Sequence, residues 1–183
     1  MLIDKAFRLA ALYHHGQKRK YTGEPYIVHP VDVMAILTEH LYFGRDHPPI
    51  QHMLAAALLH DTLEDTYASE EALRQEMPDE VVDLVVALTD VPHEMGNRKT
   101  RKAMDRERIS SAGYAVQTIK CADIISNTRT IMQFDPGFAP LYLREILDLL
   151  HAMNDAHTDL YHHAIDAVDE GCRHFGVVID LED

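Results

Sequence analysis

The chain has 183 residues, enough for one domain with a sizeable core, and 46% of them are hydrophobic. With no tryptophan and only eight glycines and eight prolines, the composition favours helices over a turn-rich sandwich or barrel. A net charge of −13 argues against nucleic acid or an anionic membrane as partner, and any polyanionic small molecule would need locally positive ground.

In chain order, Leu2, Ala6, Leu9 and Tyr13 fall on one helical face between Leu2 and His15, with Gly16 as a stop. Residues 17–25 are polar, basic and turn-rich, and predict a loop that runs on to His29. Pro30 opens a second helix reaching Leu41, and Gly44 to Pro49 break the chain. Residues 51–65 predict one helix, apolar all round from Met53 to Leu59 and therefore buried. Ser69 to Glu76 and Pro78 to Leu88 predict short amphipathic helices. Asn97 to Ser111 is strongly charged, Tyr114 to Thr130 has helical spacing, and Pro140 to about His174 predicts one or two closing helices. No segment predicts a strand, so the fold is expected to be all-α and a single domain over residues 1–183. No apolar run approaches the roughly 18–20 residues of a membrane helix. The N-terminus lacks the apolar stretch of a signal peptide, and Cys121 and Cys172 make no disulfide framework. A cytoplasmic location with reduced thiols is expected.

The buried helix ends in His60-Asp61-Thr62-Leu63-Glu64-Asp65. Ionisable groups on a buried helix are costly unless something compensates them. On a continuous helix His60 would stack over Glu64 and Asp61 over Asp65. An imidazole beside a carboxylate suits a divalent ion, and the two further carboxylates could hold and deprotonate a water. Alone, such a group also fits a charged helix end in solvent. Lys120, Asp123 and Asn127 form a polar stripe on an otherwise apolar helix, and His29 precedes a helix in Pro25-Tyr26-Ile27-Val28-His29-Pro30. Neither is telling alone.

Together, His29, His60-Asp61 and Asp123 give the order H…HD…D. The flanks His15-Gly16-Gln17-Lys18-Arg19-Lys20, Gly23-Glu24-Pro25-Tyr26-Ile27-Val28-His29-Pro30, Ala56 to Thr66, and Lys120-Cys121-Ala122-Asp123 with Asn127 resemble the HD-type hydrolase domains of the RelA/SpoT alarmone enzymes and their small stand-alone, metazoan-type relatives. The likeness spans about residues 5–150, leaving about 151–183 as a closing helix and acidic tail. The resemblance implies an HD helical bundle and one divalent metal, most often Mn²⁺, held by His29, His60, Asp61 and Asp123. It further implies that Glu64 and Asp65 assist the attacking water, Arg19 reaches the phosphates, Lys20 lies against the base and Asn127 contacts the nucleoside. Two departures stand out: Tyr21-Thr22 occupy the place of one residue in many relatives, and Cys121 and Ile124-Ile125-Ser126 differ from Leu-rich versions.

The implied reaction is hydrolysis of the 3′-pyrophosphate of (p)ppGpp to GDP or GTP plus pyrophosphate. No room remains for the synthesising domain of long relatives, so a hydrolase-only protein is expected. The same chemistry on ppApp or on the 2′-phosphate of NADPH is an alternative. A catalytically dead alarmone-binding module is a further one, although it should have lost a ligand or an acid. Residues 98–108 hold six of the 17 basic residues. Lys99 and Arg101 are candidate phosphate contacts there, against a solvated helix face. A second metal site among the C-terminal histidines, including His157 and His163, competes with a plain acidic helix. Oligomeric state is not legible.

Overall fold

The computed structural model describes residues 1–41 and 50–177, so the predicted break at Gly44 to Pro49 lies outside the described residues. Among the described residues ten α-helices follow one another: α1 Leu2–Tyr13, α2 Val28–Leu41, α3 Ile50–Leu59, α4 Thr62–Asp65, α5 Glu70–Glu76, α6 Asp79–Leu88, α7 Arg98–Ser111, α8 Tyr114–Phe134, α9 Ala139–Ala152 and α10 Thr158–Phe175, with a short 3₁₀ turn at His93–Met95. Among the described residues there is no strand, only an isolated bridge between Lys18 and Pro25 in the first loop.

Helix ends follow local chemistry. Ser69 accepts the Ala72 N–H at 3.1 Å to cap α5, and Asn97 accepts the Thr100 N–H at 3.0 Å to cap α7. Gly176, at φ 63°, ends α10 in the left-handed conformation that glycine adopts without steric cost.

Two helices form the centre. In α3 every residue from Met53 to Leu59 is buried, against α1, α2 and α6. Helix α8, about 31 Å long at 1.5 Å per residue, packs on α2 and α10 and buries Val116, Ile119, Ile124 and Ile125. The closing segment divides into α9 and α10. Gln117, fully buried, joins their corner to the rest: its Oε1 accepts the N–H groups of Asn154 and Asp155 at 3.0 and 2.8 Å, while its Nε2 donates to the carbonyls of Ser110 and Ala112.

Two predicted boundaries move. His29 is not in a loop but in the first turn of α2, which begins at Val28, two residues before Pro30. The predicted 51–65 helix is broken: α3 stops at Leu59, His60 and Asp61 form a turn, and α4 is a separate short helix. The His60 Nδ1, bonded to the Ala57 carbonyl at 2.8 Å, holds that turn. The stacking expected of one continuous helix survives only beyond the break, where the Asp65 N–H still reaches the Asp61 carbonyl at 2.9 Å.

Candidate metal centre

Three elements bring the site together. The first turn of α2 supplies His29, the α3–α4 turn supplies His60 and Asp61, and the middle of α8 supplies Asp123. One donor atom from each of His29, His60 and Asp123 lies within 4.8 Å of the others, and all three residues are buried. Asp61 closes the fourth side, touching each histidine with a different oxygen. His29 Nε2 is 3.2 Å from Asp123 Oδ1 and 3.6 Å from Asp61 Oδ2. His60 Nε2 is 3.1 Å from Asp61 Oδ1 and 3.6 Å from Asp123 Oδ1.

These distances test the site for a cation. Donors bound to one ion at about 2.1 Å stand roughly 3.0 to 3.4 Å apart in octahedral or tetrahedral order, close to the observed 3.1 to 3.6 Å. His60 Nε2 is buried and makes no hydrogen bond despite its carboxylate neighbours. Because Nδ1 donates to Ala57, the neutral ring has its lone pair on that orphaned Nε2. His29 is oriented similarly, with Nδ1 3.0 Å from Ser126 Oγ. Two imidazole nitrogens and two carboxylates fit a divalent transition ion.

The surroundings hold the acids ionised. Burial alone would raise the carboxyl of Asp123, but Lys120 and the two histidines outweigh it and hold it well below the usual range. Lys120 Nζ donates to its Oδ2 at 2.9 Å and Asn127 Nδ2 to its Oδ1 at 2.7 Å. Asp61 is likewise pulled down against its burial, by His60 first and then His29; Tyr26 donates to its Oδ2 at 2.7 Å. Burial presses His60 down, yet Asp61 and Asp123 carry it well above the ordinary imidazole value. Two ionised acids thus face the Lys120 ammonium and an imidazole that favours its proton, and a bound cation would take the place of that proton.

Glu64 and Asp65 stand at the mouth of a cavity of about 200 Å³ lined also by Tyr26, His60, Asp61 and Asp123. The outer faces of both acids are open to solvent, but neighbouring protein desolvates the Glu64 carboxyl and Asp90 repels its charge, raising it to about 7. Desolvation and then Asp61 raise Asp65 as well.

This cavity adjoins a second of about 330 Å³, and both are lined by Asp90, Lys102, Lys120, Asn127, Tyr142 and Ile146. The second chamber adds Arg98 and Arg106 above an apolar floor that includes Phe138 and Ile131. Its cations are already paired: Lys102 with Asp90 at 2.5 Å, and Arg98 with Glu145 through bonds of 2.7 and 2.6 Å.

The predicted substrate contacts divide. Asn127 lines both chambers. Arg19 donates to Thr130 Oγ1 at 3.0 Å, seven residues and about 10 Å further along α8 than Asp123. Lys20 is exposed and pairs with Asp135 at 3.4 Å, beyond the end of α8. Lys99 lines a neighbouring groove with Leu141 and Arg144, which shares Arg98, Lys102 and Arg106 with the second chamber, and Arg101 lines neither chamber. The cations facing the cleft are Arg98, Lys102, Arg106 and Lys120. Phase would have found three of them. Ile109 is buried and marks the inner face of α7, and 98, 102 and 106 fall on that face at helical spacing. Tyr26 and Asp90, each bonded to a site acid, carry no sequence signal that would have named them.

A family model of the HD domain matches residues 6–150. Among curated proteins the chain is similar to a GTP pyrophosphokinase of Streptomyces coelicolor, 38% identical over 153 residues, covering 80% of this chain and 17% of that protein. It is also similar to a guanosine-3′,5′-bis(diphosphate) 3′-pyrophosphohydrolase of Aquifex aeolicus, 35% identical over 135 residues, covering 72% of this chain and 18% of that protein. The chain thus spans under a fifth of the length of these curated relatives. Among solved structures, a metazoan orthologue of SpoT, described as hydrolysing ppGpp with a role in starvation responses, superposes with a TM-score of 0.79 at 25% identity, covering 97% of each chain. A Listeria monocytogenes protein shares the fold at a TM-score of 0.66 and 23% identity, covering 86% of this chain and 99% of that one. The family pattern runs through the helices that bring His29, His60, Asp61 and Asp123 together, and the chain belongs to the HD-domain family.

Proposed function

We propose that this protein hydrolyses the 3′-pyrophosphate of ppGpp or pppGpp, using one divalent metal, Mn²⁺, held by His29, His60, Asp61 and Asp123. The observation that carries this reading is the packing of two imidazoles against two carboxylates at the floor of a cleft whose mouth holds Glu64 and Asp65. The names of the Aquifex relative and of the SpoT orthologue, both directed at the same nucleotide, support the choice of substrate.

When bound, the metal would supply Lewis acidity toward a phosphoryl oxygen and its attacking water. The chain's own groups do the rest. Glu64 has one oxygen held by the Asp90 N–H at 3.1 Å, leaving the other to take a proton from water. A carboxyl raised to about 7 is matched to that task near neutral pH. Asp65, beside it, orients the water. Tyr26, Lys120 and Asn127 fix the carboxylates of Asp61 and Asp123. The chamber bearing Arg98, Lys102 and Arg106 receives the substrate's remaining phosphates, which displace Asp90 and Glu145 from their cations, and Phe138 and Ile131 offer apolar surface to the nucleoside.

The experiment is a panel of ppGpp, ppApp and NADPH with the purified protein and Mn²⁺, products resolved by chromatography. Release of pyrophosphate from ppGpp at the highest kcat/KM is expected. Preference for ppApp or for the NADPH 2′-phosphate would keep the chemistry and replace the substrate. No turnover of any of them would favour a binding module.

A further inference from the structure

His14, where α1 ends, is buried although it does not line the cleft. Its Nδ1 is 2.6 Å from Gln17 Oε1, and its Nε2 is buried with no hydrogen bond. The amide oxygen of Gln17 can only accept, so Nδ1 carries the proton. Tyr26 stacks on this imidazole, with ring centroids 4.7 Å apart and planes 23° from parallel. In turn Tyr26 donates to Asp61 Oδ2 at 2.7 Å and meets His29 edge to face, with centroids 6.0 Å apart and planes at 79°. The main chain repeats this order. Gln17 N–H donates to the His14 carbonyl at 3.0 Å, Tyr26 N–H to the Gln17 carbonyl at 3.0 Å, and His29 N–H to the Tyr26 carbonyl at 2.9 Å.

We infer that His14 is a positioning residue of the metal centre: anchored by Gln17, its ring backs Tyr26 and thereby aims the Tyr26 hydroxyl at Asp61. The inference rests on the reading that Asp61 is one of four ligands to a divalent ion. It adds a layer behind the residues that touch those ligands, reaching from the end of α1 through the first loop to the floor of the cleft.

Core packing does not account for an imidazole at this position. A buried nitrogen without a partner costs stability, and a phenyl ring would fill the same space without that cost. What a phenyl ring lacks is the bond from Nδ1 to Gln17, which sets the plane of the imidazole and with it the plane of the stacked phenol. Orientation matters here because Tyr26 has a single O–H to give. A phenol free to tilt would swing that proton off Oδ2, and Asp61 could then turn away from His29 and His60, which its two oxygens now face. A ligand already held in its binding orientation gives up less freedom when the ion arrives.

The test reads metal affinity and needs no nucleotide. Free Mn²⁺ is followed by electron paramagnetic resonance while the full chain is titrated. Tyr26→Phe and His14→Ala should each weaken binding by about tenfold or more, the usual range for a group that orients a ligand. The double variant should bind no more weakly than Tyr26→Phe alone, because His14 acts through the hydroxyl that this variant lacks. Losses that multiply overturn the inference, since His14 would then support the fold and not the phenol. Unchanged affinity in a folded His14→Ala overturns it as well. Should that variant fail to fold, Gln17→Met, at a half-buried position, removes the anchor and leaves both rings in place. It should weaken Mn²⁺ binding, and the loss should vanish in the Tyr26→Phe background; no loss, or one that persists there, overturns the inference. A wild type that binds no Mn²⁺ removes the four-ligand reading and this inference with it, whereas every other outcome leaves that reading standing.

Discussion

The backbone N–H of Asp90 reaches Oε2 of Glu64 at 3.1 Å across a gap of 26 residues, tying the acid after the α3–α4 turn to the end of α6. That contact fixes where Glu64 points and leaves its second oxygen to the cavity. Replacing Glu64 by Gln keeps the contact and removes the proton acceptor. We expect kcat to fall by about 10²- to 10⁴-fold with metal content still near one ion per chain in the cleft. Asp65→Asn should behave alike. Elemental analysis beside single-turnover kinetics separates the roles, and a variant that sheds its metal would identify that residue as a ligand.

Proton and metal compete for the same floor. Without metal, Glu64 holds its proton up to about pH 7 and His60 well beyond its ordinary 6.5. Both values are raised by folding. Their contribution to stability is therefore fully present below the unfolded values and is lost as pH rises through the folded ones. A bound ion replaces the His60 proton, so its stabilisation grows as protons become scarce. Melting scans at pH 5.5, 7 and 8.5, with Mn²⁺ and with chelator, should show the chelated protein weakening with pH and the gap between the two widening. A gap that narrows would contradict the assignment of His60 as a ligand.

Lys120 is nearly buried and neutralises Asp123. Lys120→Met should cost the metal-free protein about 3 to 5 kcal/mol, the usual penalty for stranding one half of a buried pair. With one positive charge fewer beside the floor, the variant should hold its metal against chelator longer than wild type. Denaturant unfolding of the chelated form and the rate of metal loss measure the two effects, and equal loss rates would show that Lys120 does not act on the ion.

On α7 the phase of each cation decides its use. Arg98→Ala with Lys102→Ala should raise KM at least tenfold and flatten its dependence on salt. Lys99→Ala, altering a residue of the neighbouring groove, should change neither. If Lys99 carries the effect instead, the substrate enters from the other side of α7.

Much of this arrangement is legible in the amino-acid order. The apolar run Met53 to Leu59 predicts the buried helix, and H…HD…D with its flanks anticipates which four residues meet. The break at His60 is not legible, because it depends on an imidazole capturing the carbonyl of Ala57, a bond that periodicity does not register. Charge counted along residues 98–108 does not separate Lys102 from Lys99 and Arg101, because only position relative to the buried Ile109 distinguishes the inner face of α7. The position of Arg19 depends on Thr130, 111 residues away, and no local pattern encodes such a contact.

The family pattern ends at residue 150, yet the amide of Gln117 binds four backbone groups, two of them at Asn154 and Asp155. Beyond these, Leu160, Ala164, Val168 and Cys172 are buried in the common core. The border of the recognisable pattern is therefore not the border of the cooperative unit. A chain cut after Ala152 would leave half of that amide's partners missing and the flank of α8 bare. It would be expected to behave as an open, aggregation-prone chain, not as a smaller enzyme.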